Sequence, residues 1–167
     1  MLAWQNKVSE EFIIRLFEIC GELCIDADYL MACMAFETGE KFTASVKNKV
    51  SGATGLIQFM RSTAKSLGTS VEQLAEMTEV EQLEYVRKYF LPYKGKLNTL
   101  EDVYMAILWP QAIGKSNDYV LFRKGTIAYK QNQGLDLNKD GLITKYEAAY
   151  KVRLALEKGL REENALV

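Results

Sequence analysis

The sequence predicts a mainly α-helical protein with a small irregular or β segment near residues 39–54. Apolar residues recur at helical spacing along most of the chain, and several of these runs begin at a Ser, Thr or Asp that can cap a helix. The segment 39–54 breaks this pattern because it is polar and rich in Gly, Ser, Thr and Asn. Since the 167 residues contain no internal repeat or linker, we expect a single domain over residues 1–167.

The first two helices are predicted from their starts and stops. Ser9, followed by two glutamates, predicts the N-terminus of a first amphipathic helix. Asp26 or Asp28 is expected to cap a second helix, over residues 29–37, which is apolar almost all round. Gly39 ends this second helix. We therefore expect the second helix to pass through the core, with a glutamate at its C-terminal end.

Later helices follow the same signals. The helical pattern resumes at Gly55 and is expected over residues 56–67, and a last long helix is expected over residues 144–161. Three other helix starts are predicted where a threonine is followed three residues later by an acidic residue, as in a capping box: Thr69 with Glu72, Thr78 with Glu81, and Thr99 with Asp102.

Composition excludes several classes of function. The chain has no histidine, which excludes imidazole catalysis and histidine metal sites, and its net charge of -1 gives no overall attraction to nucleic acid. The longest apolar run, residues 29–36, is too short to span a bilayer, and charged residues come before any apolar run at the N-terminus, so we expect neither integral membrane association nor a signal peptide. Cys20, Cys24 and Cys33 are expected to be buried free thiols in a reducing compartment.

The most informative segment joins the end of the second predicted helix to the chain beyond it. Glu37 and Thr38 end that helix. About fifteen residues later, eight residues form one ordered motif: Ser51, Ala53, Gly55, Leu56, Gln58, Met60, Thr63 and Ala64.

This segment resembles the soluble lytic transglycosylase domains of the lysozyme-like superfamily, in which a catalytic Glu-Ser or Glu-Thr precedes the pattern Ser-x-Ala-x-Gly-Leu-Met-Gln-x-Met-x-x-Thr-Ala. The resemblance covers roughly residues 28–150 and implies an α+β lysozyme-like fold and a peptidoglycan-cleaving enzyme. The compact size, the absent signal peptide and the run at residues 104–110 are most similar to phage-encoded endolysins and virion-associated wall hydrolases. For a protein of this kind we expect one of two locations. An endolysin would stay in the host cytoplasm before its release to the periplasm and cell wall, and a wall hydrolase of the other type would be part of the virion.

Glu37 is the candidate catalytic residue. Cleavage of a glycosidic bond needs a carboxylic acid that can protonate the leaving oxygen near neutral pH. The apolar residues before Glu37 and the negative end of its helix both predict a raised pKa. Glu40 is the nearest candidate for a second carboxylate, which a hydrolase of the paired type would need. The resembled transglycosylases use one glutamate, and no cofactor is required for catalysis.

The resemblance also implies a substrate-binding set. Gln58 is expected to line the cleft and to hydrogen-bond the sugar, and Gly55 to let the glycan approach the backbone. Ser51 and Met60 belong to the same motif, although the apolar chain of Met60 is also expected to pack in the core. Two further members are Trp109, for which sugar stacking and core packing are both open, and Tyr150, which resembles a tyrosine that reaches toward the catalytic glutamate.

One departure from the family pattern leaves the product open. The family commonly carries Ala-Tyr-Asn-x-Gly in a later helix, whereas residues 108–112 here read Leu-Trp-Pro-Gln-Ala. Both a 1,6-anhydro product and a hydrolysed reducing end therefore remain possible outcomes.

A second motif, residues 136–147, matches the EF-hand calcium loop. We expect a structural Ca²⁺ here. A plain Asx-rich turn, followed by a capping box at the start of the last helix, is the alternative interpretation, and both can hold together. A single EF-hand also lacks its usual partner. The expected ligands are Asp136, Asn138, Asp140, the carbonyl of Leu142, Thr144 and Glu147.

Two functions follow from these motifs. The first is an enzyme that cleaves the β-1,4 bond between N-acetylmuramic acid and N-acetylglucosamine, by lytic transglycosylation or muramidase hydrolysis, and acts as a monomer on glycan strands. The second is a non-catalytic calcium-binding or adaptor protein on a degenerate lysozyme-like fold. Nucleic acid is not an expected partner, because the sequence has only one local cluster of basic residues: Lys41, Lys47, Lys49 and Arg61.

Overall fold

The computed structural model describes residues 1–166 and is mainly helical, with one small antiparallel sheet, which confirms the predicted mainly α class. None of the helices among these residues is long and apolar enough to cross a membrane. Short 3-10 turns occur at Gln5–Lys7, Leu91–Tyr93, Pro110–Ala112 and Gln133–Leu135. The helices are α1 Glu10–Leu23, α2 Ala27–Thr38, α3 Arg61–Ser66, α4 Val71–Glu76, α5 Glu79–Phe90, α6 Leu100–Leu108, α7 Ile127–Gln131, α8 Lys145–Gly159 and α9 Glu162–Ala165, and the strands are β1 Val120–Arg123 and β2 Leu142–Thr144.

Helix α2 is the centre of the core, as predicted. Eight of its twelve residues are buried, and it packs against α8 and α6, while α1 packs against α5. The side chain of Asp26 caps its N-terminus by accepting a hydrogen bond from the Asp28 backbone N–H. At the other end, Gly39 adopts a left-handed conformation with φ of +58° and ends the helix. The helix therefore ends at Thr38, one residue after Glu37.

Most of the predicted helix starts are confirmed by side-chain caps. Ser9 accepts from the backbone of α1, Thr99 from that of α6, and Thr78 forms a reciprocal capping box at α5. The prediction for Thr69 is wrong, because the neighbouring Ser70 caps α4 instead.

The helix predicted over residues 56–67 starts later than expected, at Arg61. The chain before it turns sharply, with positive φ at Gly55 and Gln58, and it forms isolated antiparallel bridges from Thr54 to Lys47 and to Phe59. These bridges use backbone groups that a helix would need for its own hydrogen bonds. The first helix after α2 is consequently only six residues long.

The sheet lies outside the segment 39–54 in which β structure was predicted. That segment is irregular, which was one of the two predicted alternatives, and its only β pairing is the isolated bridges of Thr54 to Lys47 and to Phe59. Strands β1 and β2 pair antiparallel instead, with Phe122 opposite Ile143 and Arg123 opposite Leu142. Because β2 belongs to the loop 136–147, this pairing joins the loop to β1.

A buried ion pair fastens α6 to α8. Lys145 Nζ lies 2.6 Å from Asp102 Oδ1, and the two side chains are 2% and 7% exposed. The same ammonium group donates to the carbonyl of Lys115, and a second pair joins Arg153 to Glu101. These contacts hold the N-terminal end of α6 against α8.

The cysteines are free, but not all are buried. Cys20 and Cys33 lie in the core, as expected, and burial raises the pKa of Cys20 to about 12. The expectation is wrong for Cys24, which is exposed because the chain leaves α1 there in a left-handed conformation with φ of +58°.

Candidate active site

The C-terminal end of α2 opens into a cleft of about 580 Å³. The chain is held there by Thr38, whose hydroxyl donates to the carbonyl of Met34 and accepts from the backbone N–H of Phe42. The walls come from α2, from the irregular chain before α3, from the end of α6, from β1 and from α7. The lining residues are Phe36, Glu37, Asn48, Ser51, Ala53, Gln58, Met60, Tyr104, Ile107, Leu108, Trp109, Phe122, Ala128, Gln131 and Asn132.

Glu37 is the only charged residue among the described residues that line this cleft. Burial raises the pKa of its carboxyl group from 4.5 to about 7. No salt bridge within residues 1–166 includes Glu37, so no neighbouring cation favours the ionised form. The carboxyl group is therefore about half protonated at neutral pH and can act both as a proton donor and as a base.

Four of the residues predicted to bind substrate line the same cleft: Ser51, Gln58, Met60 and Trp109. The amide nitrogen of Gln58 donates to the carbonyls of Val46 and Gly55, which fixes the side chain. Its oxygen Oε1 accepts no hydrogen bond from residues 1–166 and remains available to a ligand. The expectation that Met60 packs in the core is wrong, because this side chain is 47% exposed at the start of α3.

Trp109 packs against a neighbouring aromatic ring and also lines the cleft, and its stacking on a sugar stays a prediction. Its ring packs edge-on against Phe122, with ring centroids 5.1 Å apart, and the half-buried side chain also forms part of the cleft surface. Packing against the β1 residue thus fixes the position of an aromatic face in the site.

Glu40 is not part of this cleft. Its carboxylate lies 2.8 Å from Lys158 Nζ in a salt bridge between the end of α2 and α8. It lines a separate, smaller pocket of about 260 Å³ together with Trp4. A catalytic pair of Glu37 and Glu40 therefore has no support from this arrangement.

Gly55 and Tyr150 also lie outside the lining of the cleft. A Cβ atom at Gly55 would lie 2.3 Å from the amide oxygen of Gln82, and Gly55 itself has φ of +86°. Gln82 is fully buried and uses its amide to bind the backbone of Ala44, Leu56 and Leu74. The glycine thus makes room for this buried amide.

The ring of Tyr150 packs against that of Tyr146, also on α8, with the ring centroids 6.1 Å apart.

Sequence reasoning missed several residues of the cleft. Among them, Tyr104 on α6 is electrostatically linked to Glu37. Burial and, to a smaller extent, the charge of Glu37 raise the pKa of its hydroxyl group. A hydroxyl group within the apolar run that follows Asp102 was the one signal that could have found it. Asn48, Gln131 and Asn132 carried no local signal, because each is polar and stands in a polar segment.

The loop 136–147 brings three carboxylates together. One oxygen from each of Asp136, Asp140 and Glu147 lies within 4.8 Å of the others. Asp136 is only 7% exposed, and its Oδ1 is the one buried side-chain nitrogen or oxygen in residues 1–166 that has no hydrogen-bond partner. Its Oδ2 accepts from the Tyr129 hydroxyl at 2.6 Å and from the Gly141 backbone at 2.9 Å. These donors lower the pKa of Asp136. An unpartnered oxygen on a carboxylate that lies close to two other carboxylates fits a cation.

The remaining predicted ligands have other contacts. The hydroxyl of Thr144 bonds to Glu147, and the two residues form the capping box of α8 that the sequence offered as an alternative. Asn138 accepts from the Asp140 backbone N–H in a local turn, and Leu142 lies in β2. The loop therefore caps α8 and also gathers an acidic triad that can hold a metal ion. The strand β2 within this loop pairs with β1.

The cleft thus combines one proton donor with neutral amide and aromatic side chains. Amides can donate to and accept from sugar hydroxyl and N-acetyl groups, and they do so without competing for the proton of Glu37. No model of a known protein family matches the sequence, and no curated protein matches it either. The chemistry of the cleft and of the acidic loop is accordingly the basis for a functional proposal.

Proposed function

We propose that the protein cleaves the β-1,4 bond between N-acetylmuramic acid and N-acetylglucosamine in peptidoglycan, on a lysozyme-like fold. The observation that carries the proposal is Glu37, a single carboxyl group with a pKa of about 7 in a cleft whose other lining residues are uncharged. The ordered motif from Ser51 to Ala64, which resembles that of lytic transglycosylases, supports it, because Ser51, Gln58 and Met60 of this motif line the same cleft as Glu37.

Glu37 is the general acid and then the general base of this reaction. Its protonated carboxyl gives a proton to the O4 leaving oxygen as the bond from C1 to O4 breaks, through an oxocarbenium-like transition state. The substrate's own N-acetyl group assists at C1. The Glu37 carboxylate then removes the proton from the sugar's 6-hydroxyl, whose oxygen bonds to C1 and closes a 1,6-anhydro ring. One carboxyl group is sufficient for both steps.

Transglycosylation is favoured over hydrolysis by the residues around Glu37. Hydrolases of the paired type need two carboxyl groups about 5 to 10 Å apart across the scissile bond. Among residues 1–166 no second acidic side chain lines the cleft, and Glu40 is paired with Lys158 elsewhere. A nucleophile from the substrate itself removes the need for the second carboxylate.

The biological setting is a further part of the proposal. We infer a wall-degrading protein of the endolysin or virion-associated type that acts as a monomer on glycan strands. An endolysin would stay in the host cytoplasm until its release to the cell wall.

The test of this function is mass spectrometry of the muropeptides released from purified peptidoglycan. We expect 1,6-anhydro products from the wild type and at least about a hundredfold less product from Glu37→Gln. Glu40→Gln is the matched control, because it removes a carboxylate outside the cleft and is expected to retain activity. Full activity of Glu37→Gln would refute the proposal, and reducing ends in place of anhydro ends would assign hydrolysis.

Calcium is the ion that we propose for the acidic triad, in a structural role. Hard carboxylate oxygens in a flexible loop suit Ca²⁺, and the unpartnered Oδ1 of Asp136 is the observation that supports it. Isothermal titration is expected to show binding to the wild type and at least a tenfold weaker interaction with Asp136→Asn. Calcium binding together with an absence of any released muropeptide would instead support the non-catalytic calcium-binding or adaptor function.

A further inference from the structure

Helix α7 lines the cleft and also contacts the acidic loop, residues 136–147. Ala128 and Gln131 of the helix and the residue that follows it, Asn132, form part of the cleft wall. Tyr129 lies between them in sequence and is the one buried residue of this helix. Its hydroxyl donates a 2.6 Å hydrogen bond to Oδ2 of Asp136, the residue whose other oxygen is unpartnered. A single side chain therefore joins the cleft wall to the triad.

A second connection runs through the sheet. Phe122 lines the cleft and packs edge-on against Trp109, which lines it too. In the β ladder Phe122 lies opposite Ile143, a residue of the loop 136–147 that is fully buried. The position of the loop therefore also sets the position of an aromatic pair in the cleft.

Helix α7 is too short to be stable without such connections. It has five residues, Ile127–Gln131, and its packing partner is the four-residue strand β1. Isolated helices of this length do not form in water, because their few hydrogen bonds do not offset the cost of nucleation. The order of this wall consequently depends on the contacts of Tyr129 and Phe122.

The acidic loop is the element whose order a cation would change. Three carboxylate oxygens within 4.8 Å of one another repel when ionised, and a bound divalent cation turns this repulsion into attraction. Asp136 is held from both sides in that case, by the ion at Oδ1 and by Tyr129 at Oδ2.

We propose that a divalent cation bound by Asp136, Asp140 and Glu147 orders α7 and β1 and thereby completes the glycan-binding cleft, so that cation affinity and glycan affinity are coupled. The identity of the glycan rests on the function proposed above. Tyr129 is a positioning residue in this scheme, since it acts through Asp136 and α7. Coupling of this kind is reciprocal, so the glycan raises cation affinity by the same factor.

Hydrogen exchange tests the coupling without any glycan. Calcium is expected to slow amide exchange at least fivefold in peptides that cover residues 127–132, relative to the chelated protein. In Tyr129→Phe, which leaves all three carboxylates in place, calcium still binds but this protection falls below twofold. Tyr146→Phe is the matched control, because this exposed tyrosine lies within residues 136–147, at the start of α8, and its hydroxyl makes no hydrogen bond to the triad. It retains the full protection.

Glycan binding is then measured on Glu37→Gln, so that the ligand is not consumed, with a β-1,4-linked N-acetylglucosamine tetramer as the probe. We expect at least about fivefold tighter binding in calcium than in chelator, and a gain below twofold when Tyr129→Phe is added. Equal affinity with and without bound calcium, or unchanged exchange at residues 127–132, overturns the coupling and leaves the proposed activity standing. Calcium-dependent protection with no muropeptide released by the wild type supports the coupling and refutes the activity.

Discussion

The raised pKa of Glu37 has a cost in stability that can be measured without any substrate. Replacing Glu37 with Gln keeps the shape of the side chain and removes its ionisation. Because burial disfavours the carboxylate, the folded protein binds a proton on Glu37 up to about pH 7, whereas the unfolded chain releases it near pH 4.5. We therefore expect Glu37→Gln to be more stable than the wild type at high pH.

The sign and size follow from proton linkage. Between pH 4.5 and about 7 the folded state holds more protons than the unfolded state, so the free energy of unfolding falls as the pH rises, and it is level above pH 7. A tenfold change in an ionisation equilibrium is worth about 1.4 kcal/mol. The pKa difference between the unfolded state, 4.5, and the folded state, about 7, then corresponds to a loss of at most about 3 kcal/mol in the free energy of unfolding, because solvent in the open cleft screens part of the effect.

Urea unfolding of both proteins at pH 4 and pH 8 isolates this contribution. The difference in the free energy of unfolding between Glu37→Gln and the wild type is expected to be up to about 3 kcal/mol larger at pH 8 than at pH 4. Glu76→Gln, an exposed site at the end of α4, controls for the loss of one negative charge. An identical difference at the two pH values would refute the assignment of Glu37 as a carboxyl group with a pKa near 7.

Two further substitutions test the framework around the cleft. Gly55→Ala is expected to lower the free energy of unfolding by about 3 kcal/mol, because it strains a positive φ and displaces a buried amide. Gly95 also has a positive φ but open space around it, so Gly95→Ala should lower the free energy of unfolding by only about 1 kcal/mol. Equal losses in urea unfolding would contradict the packing argument. Lys145→Met is expected to lower the free energy of unfolding by about 3 to 5 kcal/mol, because it leaves the buried Asp102 carboxylate without its partner. A thermal unfolding curve close to that of the wild type would show that stability does not depend on this ion pair.

The position of Glu37 could be predicted from the sequence because it depends on local interactions. An apolar run that begins after Asp26 and stops at Gly39 defines a helix through its own hydrogen bonds and caps, and the same run predicted an apolar surround for the carboxyl group. The capping box of α8 and the acidic loop before it were predictable for the same reason, since each is formed by residues within twelve positions of one another.

The cleft itself could not be predicted in this way. Tyr104 on α6 and Asn132, the residue after α7, also line it, although both are far from Glu37 in the chain and their neighbours in sequence give no indication of this. The same holds for Glu40, which is three residues from Glu37 but faces Lys158 on α8. Proximity in sequence was a poor guide here because the left-handed turn after α2 sends the chain in a new direction.

The sequence by itself determined where most helices begin and end, which single carboxyl group lies at the end of the core helix, and which loop gathers acidic oxygens, because these features follow from hydrogen bonds and periodicity over a few residues. Only the tertiary structure decided which side chains share the cleft with Glu37, that Gly55 makes room for Gln82, and that Tyr129 joins the acidic loop to the cleft wall. Those pairings depend on how distant elements pack, and packing is set by the shape and burial of the whole core rather than by any local pattern.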